Sequence, residues 1–203
     1  VKHLKIIDYL NLNRTLVKAH RDSERWSGVN NYLRWAPEYL ATTYIAREIS
    51  TIRRPHYLTL EKNVREAIKQ AGGSGPGRPP KDLRTTGRFD IVLWYVKPSP
   101  RAVIEVKRQP DGFATLRGDV ARICSTLSRE TDIGYGLMAY YISFDTGAQK
   151  HSVDRLTGKV EKISKEARDF TRGKGMKLKR YHHGPIKKCD DSAWTAEVLK
   201  ISR

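Results

Sequence analysis

The chain has 203 residues, of which 38% are hydrophobic and 30% charged, enough for one buried core in a single domain and too apolar for a disordered chain. Lysine and arginine exceed aspartate and glutamate by 39 − 22 = 17, a balance that points to a polyanionic partner, because each neutralised phosphate releases counterions. No apolar run approaches the roughly 18 residues of a membrane span, the first residues lack a secretory leader's apolar stretch, and Cys124 and Cys189 have no metal-binding or redox spacing. The expectation is a cytoplasmic, reduced protein with no membrane partner and no organic cofactor.

Residues 1–34 read as a helical N-terminal extension, with Leu4, Ile7, Leu10, Leu16 and Val17 as anchors. A helix is expected from Trp35 to Ser50, with Pro37 in its first turn, where a missing N–H costs nothing. At about 100° per residue, Ala41, Thr42, Ile45, Ile49 and Ile52 form one stripe. Glu38 falls on the centre line of that stripe and Glu48 well to its side, so Glu38 is an acid aimed where a core face points. Thr59–Ala71 reads as a second helix, capped by Thr59 and stopped by Gly72-Gly73. The Gly/Pro-rich stretch from Gly72 to Gly87 is a basic loop carrying Arg78, Lys81 and Arg84.

Two strands follow. On the first, Phe89, Ile91 and Leu93 take one face and Asp90, Val92 and Trp94 the other; on the second, Ile104 and Val106 oppose Val103, Glu105 and Lys107. Pro98 and Pro100 suit the turn between them. Leu116, Val120, Ile123 and Leu127 predict a helix within Ala114–Glu130, with Cys124 on its apolar face. Tyr135–Phe144 reads as a buried strand, Glu161–Phe170 as a polar helix, Arg172–Lys188 as a basic stretch without acids, and Trp194–Ile201 as an edge strand. Residues 35–144 form the expected core, and residues 145–203 a basic C-terminal part packing on it.

Period two puts Glu105 and Lys107 on one face, next to the strand that carries Asp90. Two carboxylates and an ammonium on one small patch can bind a divalent metal and hydrolyse a phosphodiester. His182-His183 lacks a second ligand pair at metal-binding spacing, and no Ser/His/Asp arrangement, phosphate loop or dinucleotide fingerprint is present.

A helix with Glu38, a strand with Asp90, a strand with Glu105-Val106-Lys107, a helix and a strand: this order resembles the PD-(D/E)xK nuclease superfamily over Trp35 to Phe144, with Phe89 standing where the family name has proline. The resemblance implies an α/β fold with a restriction-endonuclease-like αβββαβ core, its mixed central sheet flanked by helices. It implies a metal-dependent DNA endonuclease in which a metal-activated water leaves 5′-phosphate and 3′-hydroxyl ends. Mg²⁺, replaceable by Mn²⁺, would sit on Asp90, Glu105 and the Val106 carbonyl, with Glu38 holding a water or a second ion. Lys107 would orient the attacking water and stabilise the transition state, and Gln109 is a further catalytic candidate. The expected DNA contacts are Arg78, Lys81, Arg84, Arg88, Arg108, Arg172, Lys174, Lys177, Lys179 and Arg180. A homodimer would suit a double-strand cutter. The alternative is a non-catalytic nucleic-acid-binding protein that retains the fold.

Overall fold

Alternating apolar residues from Leu58 to Ser202 build a seven-stranded mixed sheet, covered by helices on both faces. The computed structural model describes residues 6–27, 33, 35–51, 57–73, 80–94, 99–129, 131–145, 152–182, 187–189 and 192–203. In chain order the elements are α1 (Ile6–Ser27), α2 (Glu38–Thr51), β1 (Leu58–Asn63), α3 (Val64–Gln70), a 3₁₀ turn (Lys81–Leu83), β2 (Arg88–Trp94), β3 (Pro100–Arg108), α4 (Phe113–Leu127), β4 (Tyr135–Asp145), α5 (Ser152–Gly173), β5 (Lys177–His182), β6 (Lys187–Cys189) and β7 (Ser192–Ser202).

The strand order is β1-β2-β3-β4-β7-β5, with β6 also paired to β7. β1/β2 and β2/β3 are antiparallel, and β3/β4 is parallel, from Ala102↔Tyr135 to Arg108↔Tyr141. A parallel pair needs a long crossover, and α4 supplies it. On one face α1 and α2 bury Leu12, Leu16, Ile45 and Ile49 against Ile91, Ile104, Val106 and Val198. On the other, α3, α4 and α5 bury Ile68, Leu116, Val120 and Ile163 against Val92, Val103, Met138 and Leu199. Each such side chain contributes about 1.5–3 kcal/mol by leaving water. Gly136 of β4 lets α4 approach: a Cβ there would collide with the Ile123 side chain. No helix among the described residues is long and apolar enough to cross a membrane.

Several expectations need correcting. Thr59–Ala71 is not one helix: Leu58–Asn63 pairs with β2, and the helix begins only at Val64. Its cap is Asn63, whose side chain accepts the Glu66 N–H at 3.2 Å, while Thr59 Oγ1 accepts from the Trp94 indole at 2.9 Å. This strand precedes β2, and the observed order runs α2, β1, α3, the 3₁₀ turn, β2, β3, α4, β4. Trp194–Ile201 is not an edge strand: β7 lies between β4 and β5. The helix expected at Glu161–Phe170 extends over Ser152–Gly173, because Leu156, Val160, Ile163 and Ala167 keep helical spacing. Phe89 leaves the face of Ile91 and Leu93 and packs with Val92 and Trp94. The chain changes course there, where Glu61, set opposite Asp90 by the pairings on either side, has a φ of 53°.

Candidate functional site

Four elements meet at one point. β2 contributes Asp90, β3 contributes Glu105 and Lys107, α2 contributes its first residue Glu38, and α4 contributes Asp119 and Arg122. The β2/β3 ladder runs up to Ile91↔Ile104; one step on, Asp90 turns its carboxylate into the gap and Oδ2 accepts the Val106 N–H at 2.7 Å. A side-chain oxygen thus takes a backbone donor where the two strands part.

Glu105 is buried, 2% exposed, against Arg122. Nε and Nη2 of that guanidinium approach the same oxygen, Oε1, at 2.8 and 2.7 Å. Arg122 Nη2 also reaches Asp119 Oδ1 at 2.8 Å, and Asp119 Oδ2 lies 3.6 Å from Lys107 Nζ. Lys107 donates to Glu38 Oε1 at 3.0 Å, and Glu38 Oε2 accepts the Arg108 backbone N–H at 3.0 Å. The result is a chain of alternating charge, Glu38–Lys107–Asp119–Arg122–Glu105, with Asp90 beside it. Both oxygens of Glu38 are occupied, which makes it an anchor for Lys107 and for the end of β3. By contrast, Oδ1 of Asp90 and Oε2 of Glu105 take no hydrogen bond among the described residues.

The electrostatics follow from this geometry. Burial pushes the Asp90 carboxyl above its ordinary value; the Val106 N–H and Lys107 pull it back, and Glu38 and Glu61 push it further up. Desolvation drives Glu105 well above the carboxylate range against the pull of Arg122, with Asp90 and Asp119 adding to the rise. Burial disfavours the Lys107 ammonium, but its hydrogen bond to Glu38 and the charges of Asp119 and Asp90 outweigh it, so its pKa is raised and it stays charged. With all groups ionised, five carboxylates (Glu38, Glu61, Asp90, Glu105, Asp119) face two cations (Lys107, Arg122), a local charge of 2 − 5 = −3 in a chain of +17. Such a deficit is relieved by protons or by a bound cation.

The described residues hold no group of three or more His, Cys, Asp or Glu side chains able to enclose a metal. The donor set fits instead a hard ion that keeps several waters and takes one or two carboxylates. The two free oxygens of Asp90 and Glu105 are the atoms such an ion would use.

The remaining expected residues scatter. Gln109, with a φ of 51°, does not face the acids: its amide spans to β4, with Nε2 donating to Ser143 O at 2.7 Å and Oε1 accepting the Ser143 N–H at 2.8 Å. Arg108 is half-buried and donates through Nη1 to Ala36 O at 2.5 Å. Arg180 is half-buried and pinned by Glu197 and Glu161, at 2.7 and 2.6 Å. Arg172 pairs with Asp169 and Lys174 with Asp82. Lys177 and Lys179 are exposed on β5, three strand spacings from β3, about 14 Å. Lys81, Arg84 and Arg88 are exposed on the approach to β2, and Arg84 rests its guanidinium over Gly118, next to Asp119. Arg78 lies outside the described residues, as does His183. Glu48 sits ten residues beyond Glu38 on α2, about 15 Å along the axis, away from this cluster. Cys124 is a buried core thiol that burial pushes up to about 11.

Sequence reasoning missed Glu61, Asp119 and Arg122. The last two flank the apolar stripe of α4 at i,i+3 spacing, a legible signal that a charged pair borders the sheet.

Comparison with protein-family models, with curated proteins and with solved structures gives no match to this chain. What the fold defines is a mixed α/β protein with helices on both faces of one sheet. Its chemistry must be read from the site.

Proposed function

We propose that this protein is a metal-dependent DNA nuclease built on a restriction-endonuclease-like core, a phosphodiester hydrolase that leaves 5′-phosphate and 3′-hydroxyl ends. The observation that carries the reading is the pair Asp90 and Glu105, on adjacent strands, each with one oxygen engaged and one free, in a negative pit within a strongly basic chain. Asp90 and Glu105 would hold Mg²⁺ or Mn²⁺, which when bound supplies Lewis acidity to activate water and offset phosphate charge.

The chain's own groups do the rest. Lys107, kept protonated by Glu38 and Asp119, offers its ammonium to the charge that builds on the phosphate oxygens. Because that ammonium is held charged, Lys107 is an electrostatic group and not the base. Arg122 fixes the rotamer of Glu105 through Oε1 and leaves Oε2 to the site. Arg84, Arg88 and Lys81 would receive the flanking phosphates without reading bases. A homodimer would set two such sites on opposite strands of a duplex.

The test is relaxation of supercoiled plasmid with Mg²⁺ or Mn²⁺, with and without chelator. Asp90→Asn, Glu105→Gln and Lys107→Ala should each lower cleavage by about 100-fold or more while retaining plasmid binding. Wild-type rates from Glu105→Gln would overturn the assignment. The Arg122–Glu105 ion pair favours one other reading, a nucleic-acid binder that retains the fold; binding without cleavage under either metal would decide for it.

A further inference from the structure

Among the described residues, the exposed large hydrophobic side chains are Trp26, Trp35, Tyr39 and Tyr57. Tyr57 stacks on Trp94 at 5.5 Å between centroids, and Trp26 tilts against Tyr44 at 6.2 Å. Trp35 and Tyr39 are different in position: they bracket Glu38 in the chain and are 64% and 51% exposed. The turn that carries them is fixed to the mouth of the acidic pit. Arg108 Nη1 holds Ala36 O, the Arg108 N–H holds Glu38 Oε2, and Lys107 holds Glu38 Oε1. Trp35 and Tyr39 are therefore exposed residues beside Glu38 on the α2 side of the pit, while Arg84 rests over Gly118 on the α4 side and Arg88 lies two residues before Asp90 on β2.

We infer that the ligand at this site is DNA with unpaired nucleotides, whose bases stack on Trp35 and Tyr39 while its phosphates run along Arg84 and Arg88. In a duplex the base faces are buried in their own stack, and the outside offers phosphates and groove edges, against which an exposed indole gains little. An unpaired base has two free π-faces, and stacking on aromatic side chains is tolerant of sequence. Arg84, Arg88 and the whole chain are cationic, which matches a strand's phosphates and opposes a basic or neutral peptide. This inference deepens the nuclease reading by naming its substrate class: single-stranded, tailed or branched DNA.

The experiment is fluorescence anisotropy in chelator, with a blunt duplex, the same duplex bearing a single-stranded tail, and the isolated strand. The wild-type chain should bind the tailed and single-stranded forms about tenfold or more tighter than the blunt duplex. Trp35→Ala should lose about tenfold on the tailed form, equivalent to about 1.4 kcal/mol, and leave blunt-duplex affinity unchanged; Tyr39→Ala should act in the same direction. Trp35→Phe should keep most of the preference, which a fold defect would not. Equal affinity for blunt and tailed DNA, or a Trp35→Ala loss that is the same on both, overturns the inference and leaves the aromatics to a protein partner. Chelator keeps hydrolysis out of the measurement. Failure here leaves metal-dependent cutting of duplex standing, and a protein that never cuts can still show the tail preference.

Discussion

Arg84 is one of three non-glycine residues with a left-handed backbone among the described residues, at φ 45°, with Glu61 at 53° and Gln109 at 51°. Such a conformation costs of order 1 kcal/mol and persists where its surroundings hold it; Glu61 faces Asp90 and Gln109 ends the β3 strand that carries Lys107. Arg84 is held by a space: an added Cβ on Gly118 would stand 2.7 Å from its Nη2. Gly118 lies in the interior of α4, where glycine is about 1 kcal/mol worse than alanine. The obstacle to alanine is the far end of a flexible side chain, so the helix gains and the guanidinium moves. Gly118→Ala should therefore raise Tm by roughly 2–4 °C and lower kcat/KM on DNA by about tenfold. Arg84→Ala should cost as much, and the double variant no more, because both remove the same contact. A Gly118→Ala protein that is more stable and fully active would detach Arg84 from the chemistry.

Elements set what the sequence could reveal. Glu105 and Lys107 were legible because period two holds along β3 and their neighbours are apolar, and Asp90 because it interrupts an apolar strand, although the alternation of β2 breaks beside it at Phe89. Glu38 was legible from the stripe of α2, which explains why it reaches the sheet while Glu48 does not. Thr59–Ala71 misled because Glu, Lys, Arg and Ala favour a helix locally, whereas Leu58–Asn63 is a strand only through its pairing with β2, some thirty residues on. Without that strand Glu61 could not be placed opposite Asp90. Likewise Arg122 went unnoticed, since its partner Glu105 becomes its neighbour only when α4 crosses over the sheet. That crossover is close, and Gly136 is what permits it: a methyl there must displace Ile123, which is fully buried. Gly136→Ala should destabilise the fold by about 1–3 kcal/mol in urea unfolding. Because α4 also carries Asp119 and Arg122, the proposed metal-dependent cleavage should fall along with stability. An unchanged urea midpoint would mean that α4 can lift from the sheet at no cost.

On the scale of the whole molecule, a basic chain surrounds an acidic pit, and pH acts on the pit in a definite direction. Asp90 and Glu105 have folded-state pKa values above their unfolded ones of about 3.9 and 4.3. In the window between unfolded and folded pKa the native state holds protons that the unfolded chain has released, so metal-free stability from these two groups is lost as pH rises. Lys107, also raised, contributes stability that is fully present below the unfolded lysine value of about 10.4 and is lost as pH rises through its folded pKa. His20 acts the opposite way: buried beside Tyr141 and Trp194 and lowered to about 4, it contributes stability that is present at neutral pH and lost as pH falls below about 6.5. Comparing unfolding with and without Mg²⁺ or Mn²⁺ at each pH cancels His20 and isolates the site. A cation can bind only the ionised carboxylates, so its stabilisation should grow as pH rises from the ordinary carboxylate value of about 4 toward neutral, as it replaces the protons. At a hundredfold excess over Kd the gain is about 2.7 kcal/mol, a Tm rise of roughly 5–10 °C for a chain of this length. Asp90→Asn and Glu105→Gln should each abolish that rise, and Glu105→Gln should also flatten the fall in metal-free stability with rising pH. A metal-induced rise that is the same at both ends of the range, or that survives both substitutions, would place the cation elsewhere and remove the ground for hydrolysis at this pit.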